Sequence, residues 1–291
     1  MTTQSPSIKS LFAVGLAATL SLGASYSTEA KDSKSLDEIL AAQPEKVQAR
    51  YTARKPKQTL EFFGIKPGMT VVEALPGGGW YSKIIMPYLG KKGHLIGADY
   101  SADMFPLFGF FSQERLDAKK TWVQSWTKEA ETWRSDDSAT VAAFQLGSLP
   151  SAMQEKADAV LFIRALHNLA RFESKGGYLT QALADTKNVL KKGGIVGIVQ
   201  HMAPSDASDE WADGSRGYLK KDFVISKMEA AGFELVASSD INENPKDKPT
   251  GDDIVWRLPP SLVTSREDET LKKKYQEIGE SNRMTLLFRK K

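Results

Sequence analysis

The residues with the clearest chemical potential lie in one stretch, Val71-Val72-Glu73-Ala74-Leu75-Pro76-Gly77-Gly78-Gly79-Trp80-Tyr81. A β-rich run ends in an acid, and a triple-glycine turn then opens a helix. Glycine lets backbone come close to a ligand, and a helix N-terminus presents free N–H groups. Asp99 closes a second β-rich run, 26 residues after Glu73. A carboxylate at that place can accept hydrogen bonds from both hydroxyls of a ribose. Strand, glycine turn, helix, strand and acid together form a nucleoside-binding pattern. A dinucleotide fingerprint wants a third glycine where the chain has Ser82, so nicotinamide-dependent redox chemistry is disfavoured.

Histidine supplies the second set of candidates. An imidazole with an ordinary pKa of about 6.5 can take a proton from a hydroxyl or amine. His94 opens a strand at the end away from the glycine turn and reads as structural. His167 follows one strand and His201 ends another, so both are candidate bases, with a hydrogen-bonded structural histidine as the alternative for each. Arg164, three residues before His167, can pair with a carboxylate ligand or with a protein acid such as Asp158. Tyr81, just after the glycines, either touches a ligand or packs its helix.

Composition narrows the classes further. The 291 residues contain no cysteine, which excludes disulfides, thiolate metal sites and cysteine nucleophiles. Two histidines with Asp206 or Asp209 lack metal-ligand spacing, so no metal is expected. A net charge of +3, with basic residues matched by acids along the chain, gives no case for nucleic acid. An apolar fraction of 41% with 26% charged residues is that of a folded globular chain.

The elements that position these residues alternate. Residues 33 to 63 read as three helices, the first opened by a Ser35/Glu38 capping box and the last by Pro56. Strands are expected at 70–74, 94–99, 141–144, 159–163, 195–199, 233–237 and 284–288. Helices are expected at 80–89, 179–190 and 222–231, with Lys191-Lys192-Gly193-Gly194 ending the second of these. Such alternation predicts an α/β sheet, mostly parallel, with helices on both faces and ligands at the carboxyl ends of its strands. The aromatic stretch from Phe105 to Asp137 is read mainly as packing, with Trp122, Trp126 and Trp133 on one helix face. A lid over a pocket is its functional alternative. The polar segment from Ala203 to Asp209 is a second lid candidate.

Several further stretches carry a family resemblance. They are Phe62-Phe63-Gly64-Ile65-Lys66-Pro67-Gly68-Met69, the Pro76 to Tyr81 turn, Arg164-Ala165-Leu166-His167-Asn168, Val199-Gln200-His201 and Asn244-Pro245-Lys246-Asp247. With Ala157-Asp158, Leu190 to Gly194 and Ala230-Ala231-Gly232-Phe233 before later strands, residues 60 to 290 resemble a class I S-adenosylmethionine-dependent methyltransferase. The chain looks closest to predicted bacterial methyltransferases that carry signal peptides. The resemblance implies a three-layer Rossmann-like fold, its seven-stranded sheet antiparallel only at the last strand, behind an N-terminal helical extension. It implies that the glycine loop, with Glu73, Gly77, Gly78 and Gly79, holds the methionine part of S-adenosylmethionine and that Asp99 holds the ribose. Tyr81 and Arg164 are further cofactor-binding candidates, Arg164 for the methionine carboxylate or an acidic substrate. It places the first, fourth and fifth strands side by side, so His167 and His201 should share a pocket as catalytic candidates. Leu75 replaces the family's first loop glycine. Gln145-Leu146-Gly147-Ser148 lacks the acid that the family often has near the adenine.

The expected activity is methyl transfer to a small-molecule acceptor. The alternative is a non-catalytic, exported ligand-binding protein on the same fold. Export is expected because Lys9 precedes 14 uncharged residues, Leu11 to Ala24, followed by small residues. That run is too short for a bilayer-crossing helix of about 20 residues and reads as a signal peptide over residues 1 to 30. The mature chain, 31–291, is then one domain, periplasmic, with no stable membrane insertion.

Overall fold

The computed structural model describes residues 34–291; the expected signal peptide lies outside the described residues. The first helix, α1 (Leu36–Ala41), has both halves of the capping box: Ser35 Oγ accepts from the Glu38 amide, and the Glu38 carboxylate accepts from the Ser35 amide. Three short helices follow, α2 (Glu45–Gln48), α3 (Tyr51–Arg54) and α4 (Pro56–Phe62). Lys55, with φ 40°, breaks the chain sharply between α3 and α4, and Pro56 restarts it. The extension therefore has four helices where three were expected.

From Thr70 onward the chain builds one seven-stranded sheet. Its strands are β1 (Thr70–Ala74), β2 (His94–Asp99), β3 (Thr140–Gln145), β4 (Ala157–Ile163), β5 (Leu190–His201), β6 (Phe233–Ser239) and β7 (Arg283–Lys290). The order across the sheet is β3-β2-β1-β4-β5-β7-β6. Strands β1 to β5 pair in parallel, and β7 runs antiparallel between β5 and β6. Successive side chains on a strand point to opposite faces, and here they enter two separate cores. Val71, Leu95 and Leu161 pack on one face, and Val72, Ile96 and Val160 on the other. Both faces are thus covered, as a parallel sheet requires.

The crossover helices are α5 (Ser82–Leu89), α6 (Gln113–Lys120), α7 (Trp122–Glu131), α8 (Leu166–Arg171), α9 (Glu173–Gly176), α10 (Tyr178–Val189) and α11 (Lys221–Ala230). A late helix, α12 (Glu269–Ile278), was not anticipated. Strand β5 starts at Leu190, with Lys191 to Gly194 inside it rather than closing the preceding helix. The pairing jumps from Ala157↔Leu190 to Ala159↔Ile195, so β5 bulges there, and Gly193 supplies a φ of 73°. Trp122 and Trp126 stack on α7, but the helix ends before Trp133, which turns back over the glycine turn.

Gly97 shows how tightly this face is packed. It sits in β2 between Glu73 and Ala143, and a Cβ there would lie 2.7 Å from the Trp126 ring. Overpacking of this kind costs about 1–3 kcal/mol. Gly97→Ala should therefore lower the unfolding free energy read from a urea titration by that amount, and the midpoint with it. An unchanged midpoint would mean that α7 yields freely.

Candidate functional site

Two strand ends carry unusual backbone. Leu75, just after β1, has φ 54°, and Arg164, just after β4, has φ 61°. Side chains other than glycine enter this region at a cost of about 1–3 kcal/mol, and such residues cluster at ligand sites. Leu75 thus takes up the left-handed backbone that suits a glycine, at the place where the resembling loop has one. Of the three glycines that follow, Gly77 borders a cavity. Gly79 has a different constraint: a Cβ there would lie 2.5 Å from the Trp133 ring.

Two cavities open at these ends. The larger, about 720 Å³, lies among the β1 turn, the aromatic segment after β2, α6 and α8. Phe105, Phe108, Phe110 and Phe111 line it, so part of the 105–137 stretch does border a pocket. The smaller, about 270 Å³, lies over the ends of β4 and β5 and contains Arg164, His167, His201, Glu280 and Ser281. Leu75, Asn168, Trp256 and Ser261 line both. The Ala203–Asp209 segment lines neither; residues 254–261 cover the cavities in its place.

The shared wall contains a free acceptor. Tyr100 donates its hydroxyl proton to the Ala165 carbonyl at 2.6 Å, so the phenol oxygen accepts from Asn168 Nδ2 at 3.4 Å. Asn168 Oδ1 is then left buried without a partner among the described residues. A buried oxygen in this state is costly unless a ligand or water donates to it.

His167 is buried in α8 and His201 half-buried at the end of β5, with ring centres 5.5 Å apart. Gln200 donates to the Gly217 carbonyl at 2.9 Å, which turns its oxygen toward His167 Nδ1 at 3.4 Å. That oxygen can only accept, so Nδ1 carries the proton and Nε2 keeps its lone pair. His201 Nδ1 lies 2.6 Å from Ser281 Oγ. Burial, followed by the charges of Arg164 and Arg171, pushes the His167 pKa down to about 4. Burial, His167 and the nearby arginines hold His201 well below its ordinary value.

Other expected residues sit behind these walls. Glu73 is buried on β1 and accepts from Ser82 Oγ at 2.6 Å; burial pushes its pKa up to about 8. Tyr81 is buried against Trp80, with its hydroxyl 3.4 Å from the Arg54 carbonyl. Asp99 accepts from the Tyr100 amide and pairs with Lys119 Nζ at 2.7 Å. Burial raises its pKa despite that lysine. Glu73, Gly78, Gly79, Tyr81 and Asp99 border neither cavity; Lys119 borders the larger one in front of Asp99. His94 pairs with Thr140 at the opposite end of the sheet.

Sequence reasoning missed Lys119, Trp256 and Glu280. Glu280 accepts from Arg50 and Arg54 and pairs with Arg283 at 3.3 Å. The Asn244 to Asp247 motif was a usable signal for the cover over the cavities. Asp247 is buried and accepts from Arg257 at 2.7 Å, from the Tyr218 hydroxyl and from the Asn282 amide, which pins residues 254–261. Asn244 Nδ2 holds the carbonyls of Ile278 and Glu280, next to the Glu280 side chain. Among the described residues no His, Asp and Glu group is arranged for a metal ion, and no helix is long and apolar enough to cross a membrane.

No family model matches the chain, and no curated protein matches it in sequence. Solved structures do match in shape. Geranyl diphosphate C-methyltransferase from Streptomyces coelicolor A3(2), solved with S-adenosyl-L-homocysteine, is 14% identical with a TM-score of 0.52; the match covers 87% of this chain and 88% of that one. A SAM-dependent methyltransferase from Aquifex aeolicus is 18% identical with a TM-score of 0.47, over 72% of this chain and 94% of its own. The [4+2]-cyclase SpnF is 14% identical with a TM-score of 0.48, over 82% of this chain and 80% of its own. The architecture, a mostly parallel seven-stranded sheet with β7 reversed, is the class I methyltransferase fold.

Proposed function

We propose that the chain binds S-adenosylmethionine in the larger cavity and transfers its methyl group to a small-molecule acceptor held in the smaller one. One observation carries this reading: the two cavities are adjacent and share the lining residues Leu75, just past β1, and Asn168, in the helix that follows β4. Direct displacement needs two bound molecules in contact through a common opening, held in line and shielded from water.

The residues present fit the cofactor. The turn at Leu75 and Gly77 brings backbone to the cavity edge, and the phenylalanines offer flat apolar surface. Asn168 Oδ1 offers an acceptor to an amine, and Asp99 offers one to ribose hydroxyls once Lys119 shares or leaves it. When bound, S-adenosylmethionine supplies an electrophilic methyl on a sulfonium. The chain's own task is to position the acceptor and to take its proton. His167 is the better base, because its tautomer leaves Nε2 free. Its low pKa is no obstacle: a hydroxyl or amine that is gaining a methyl group becomes strongly acidic. His201, tied to Ser281, orients the acceptor.

A specific observation favours a second reading. Lys119 occupies the carboxylate expected to hold the ribose, which suits a non-catalytic binding protein whose ligand is not a nucleoside. Formation of S-adenosylhomocysteine during incubation with a panel of phenols, amines and thiols separates the two.

The ribose assignment is tested by Asp99→Ala. A hydrogen bond to a charged acceptor contributes about 1.5–3 kcal/mol, so calorimetry should show roughly a tenfold to hundredfold loss of S-adenosylmethionine affinity. Unchanged affinity in a folded variant removes Asp99 from the site.

The base assignment is tested by His167→Ala, which should lower kcat by about 10²–10⁴ with cofactor affinity kept. The wild-type kcat/KM should hold through pH 6.5 and fall only as pH approaches the folded value of about 4. The rate falls because only neutral imidazole accepts the proton. By linkage the same lowered pKa gives stability that is present above the unfolded pKa of about 6.5 and is lost as pH falls toward 4. Circular dichroism at each pH confirms that the rate is read on folded protein. A break at pH 6.5 would assign the proton to another group.

Export is the remaining part of the proposal, with residues 1 to 30 removed and the mature chain periplasmic. N-terminal sequencing of protein from the native host should begin near Ser25 to Ala30; a start at Met1 or Thr2 contradicts it.

A further inference from the structure

The smaller cavity has a charge imbalance that the protein does not resolve internally. Arg50, Arg54, Arg164 and Arg283 all direct their charge at one carboxylate, Glu280. Arg50, Arg54 and Arg283 engage that carboxylate closely, and Arg283 also donates to the Ala53 carbonyl. Arg164 is different. Its nearest carboxylate oxygen is 3.8 Å away, and among the described residues its guanidinium makes no hydrogen bond. It is a quarter exposed, into the cavity, and its left-handed backbone fixes where the side chain leaves the chain.

No other group nearby supplies negative charge. Glu73 is the next acid, and burial keeps it protonated near neutral pH. The two histidines and Ser281 add hydrogen-bonding groups but no anion. Buried charge without a partner is strongly unfavourable, and a planar guanidinium with five donors is matched best by a carboxylate or a phosphate.

We infer that the smaller cavity binds an anionic group through Arg164, so that the methyl acceptor is a small carboxylate or phosphate monoester. The anion site stands on the Arg164 geometry alone; only its assignment to the acceptor rests on the methyl-transfer reading. The anion lies on Arg164, and the group to be methylated then lies on the side of Leu75 and Asn168, which line both cavities. The inference also accounts for Arg164 and His167 lying three residues apart across one turn: one holds the acceptor's charge and the other its reacting proton.

The experiment uses the full mature chain and three probes of one shape: benzoate, phenyl phosphate and the neutral benzamide. Calorimetry should show at least one of the anions binding tenfold or more tightly than benzamide, and Arg164→Gln should abolish that preference. Equal affinity for all three in the wild type, or an intact preference in the variant, overturns the site. Should Arg164→Gln fail to fold, the wild type still decides. Saturation with the bound anion should move the NMR titrations of His167 and His201 upward, because it offsets the arginine charge that holds them down; unmoved titrations overturn the site. A final arm repeats the anion titration with S-adenosylhomocysteine at saturation. Simultaneous binding supports an acceptor site, whereas mutual exclusion overturns that assignment and gives Arg164 to the cofactor's carboxylate. If S-adenosylhomocysteine does not bind at all, the methyl-transfer reading falls while the anion preference stands.

Discussion

The Glu280 carboxylate is the constraint on which the site depends. It gathers Arg50 and Arg54 from the helical extension, Arg283 from β7 and, more loosely, Arg164 from the end of β4. Burial alone would raise its pKa, but the four guanidinium groups outweigh burial and hold it ionised. A buried network of this kind is weak evidence for net stability, since removing one partner is costly while an apolar replacement of the whole can be neutral. What it supplies is placement. Arg54 lies 4.5 Å over the Trp80 ring, and its carbonyl meets the Tyr81 hydroxyl. The extension is thereby fastened to the glycine turn, and the helices before β1 help to shape the site.

The same network sets the protonation of everything near it. His167 and His201 stay neutral because burial disfavours their charged forms and the arginines repel any added positive charge. Glu73, behind the turn, stays protonated for want of solvent, even with Arg164 pulling the other way. A cationic sulfonium gains nothing from such surroundings. On the proposed reading this explains why two chambers exist. The cation sits by the aromatic wall and the neutral oxygen of Asn168, away from the arginines gathered on Glu280, and Arg164 is left for an anion in the smaller cavity.

Sequence patterns made the sheet readable and the cover unreadable, for physical reasons. The bounds of β1 and β2 follow from apolar runs ended by an acid, and the adjacency of β1, β4 and β5 places His167 beside His201 as expected. Local rules end there. Lys191 to Gly194 looks like a helix stop, yet β4 pairs with Leu190 before it and Ile195 after it, which carries it along as a bulge within β5. Glu280 meets Arg50 across 230 residues of sequence, and no local period carries such a contact. The Asn244 to Asp247 motif was visible, but its meaning lies in the Tyr218, Arg257 and Asn282 groups that Asp247 collects. Gly79 teaches the reverse lesson: a glycine in the right place for ligand approach is explained by the Trp133 ring above it.

The fold alone does not select methyl transfer, because one architecture hosts many chemistries and function resides in the site. Here the choice narrows to the Asp99 carboxylate and the lysine in front of it. An ionised carboxylate has about four lone-pair positions. Asp99 uses one oxygen for the Tyr100 amide and the other for Lys119, so capacity for ribose hydroxyls remains. Access is the harder condition, since Asp99 is only 2% exposed and Lys119 forms the cavity wall. Lys119 lies 4.2 Å over the Phe105 ring, in the aromatic segment that lines the same cavity. A nucleoside reaching Asp99 must therefore displace the lysine from its carboxylate while leaving it a place against the ring. A ligand without ribose hydroxyls would leave the ion pair intact and meet the other lining residues of the cavity, the phenylalanines with Arg115, Arg171 and Arg266. The two functional readings thus differ at a single contact, the one between Lys119 and Asp99, rather than in the sheet that both share.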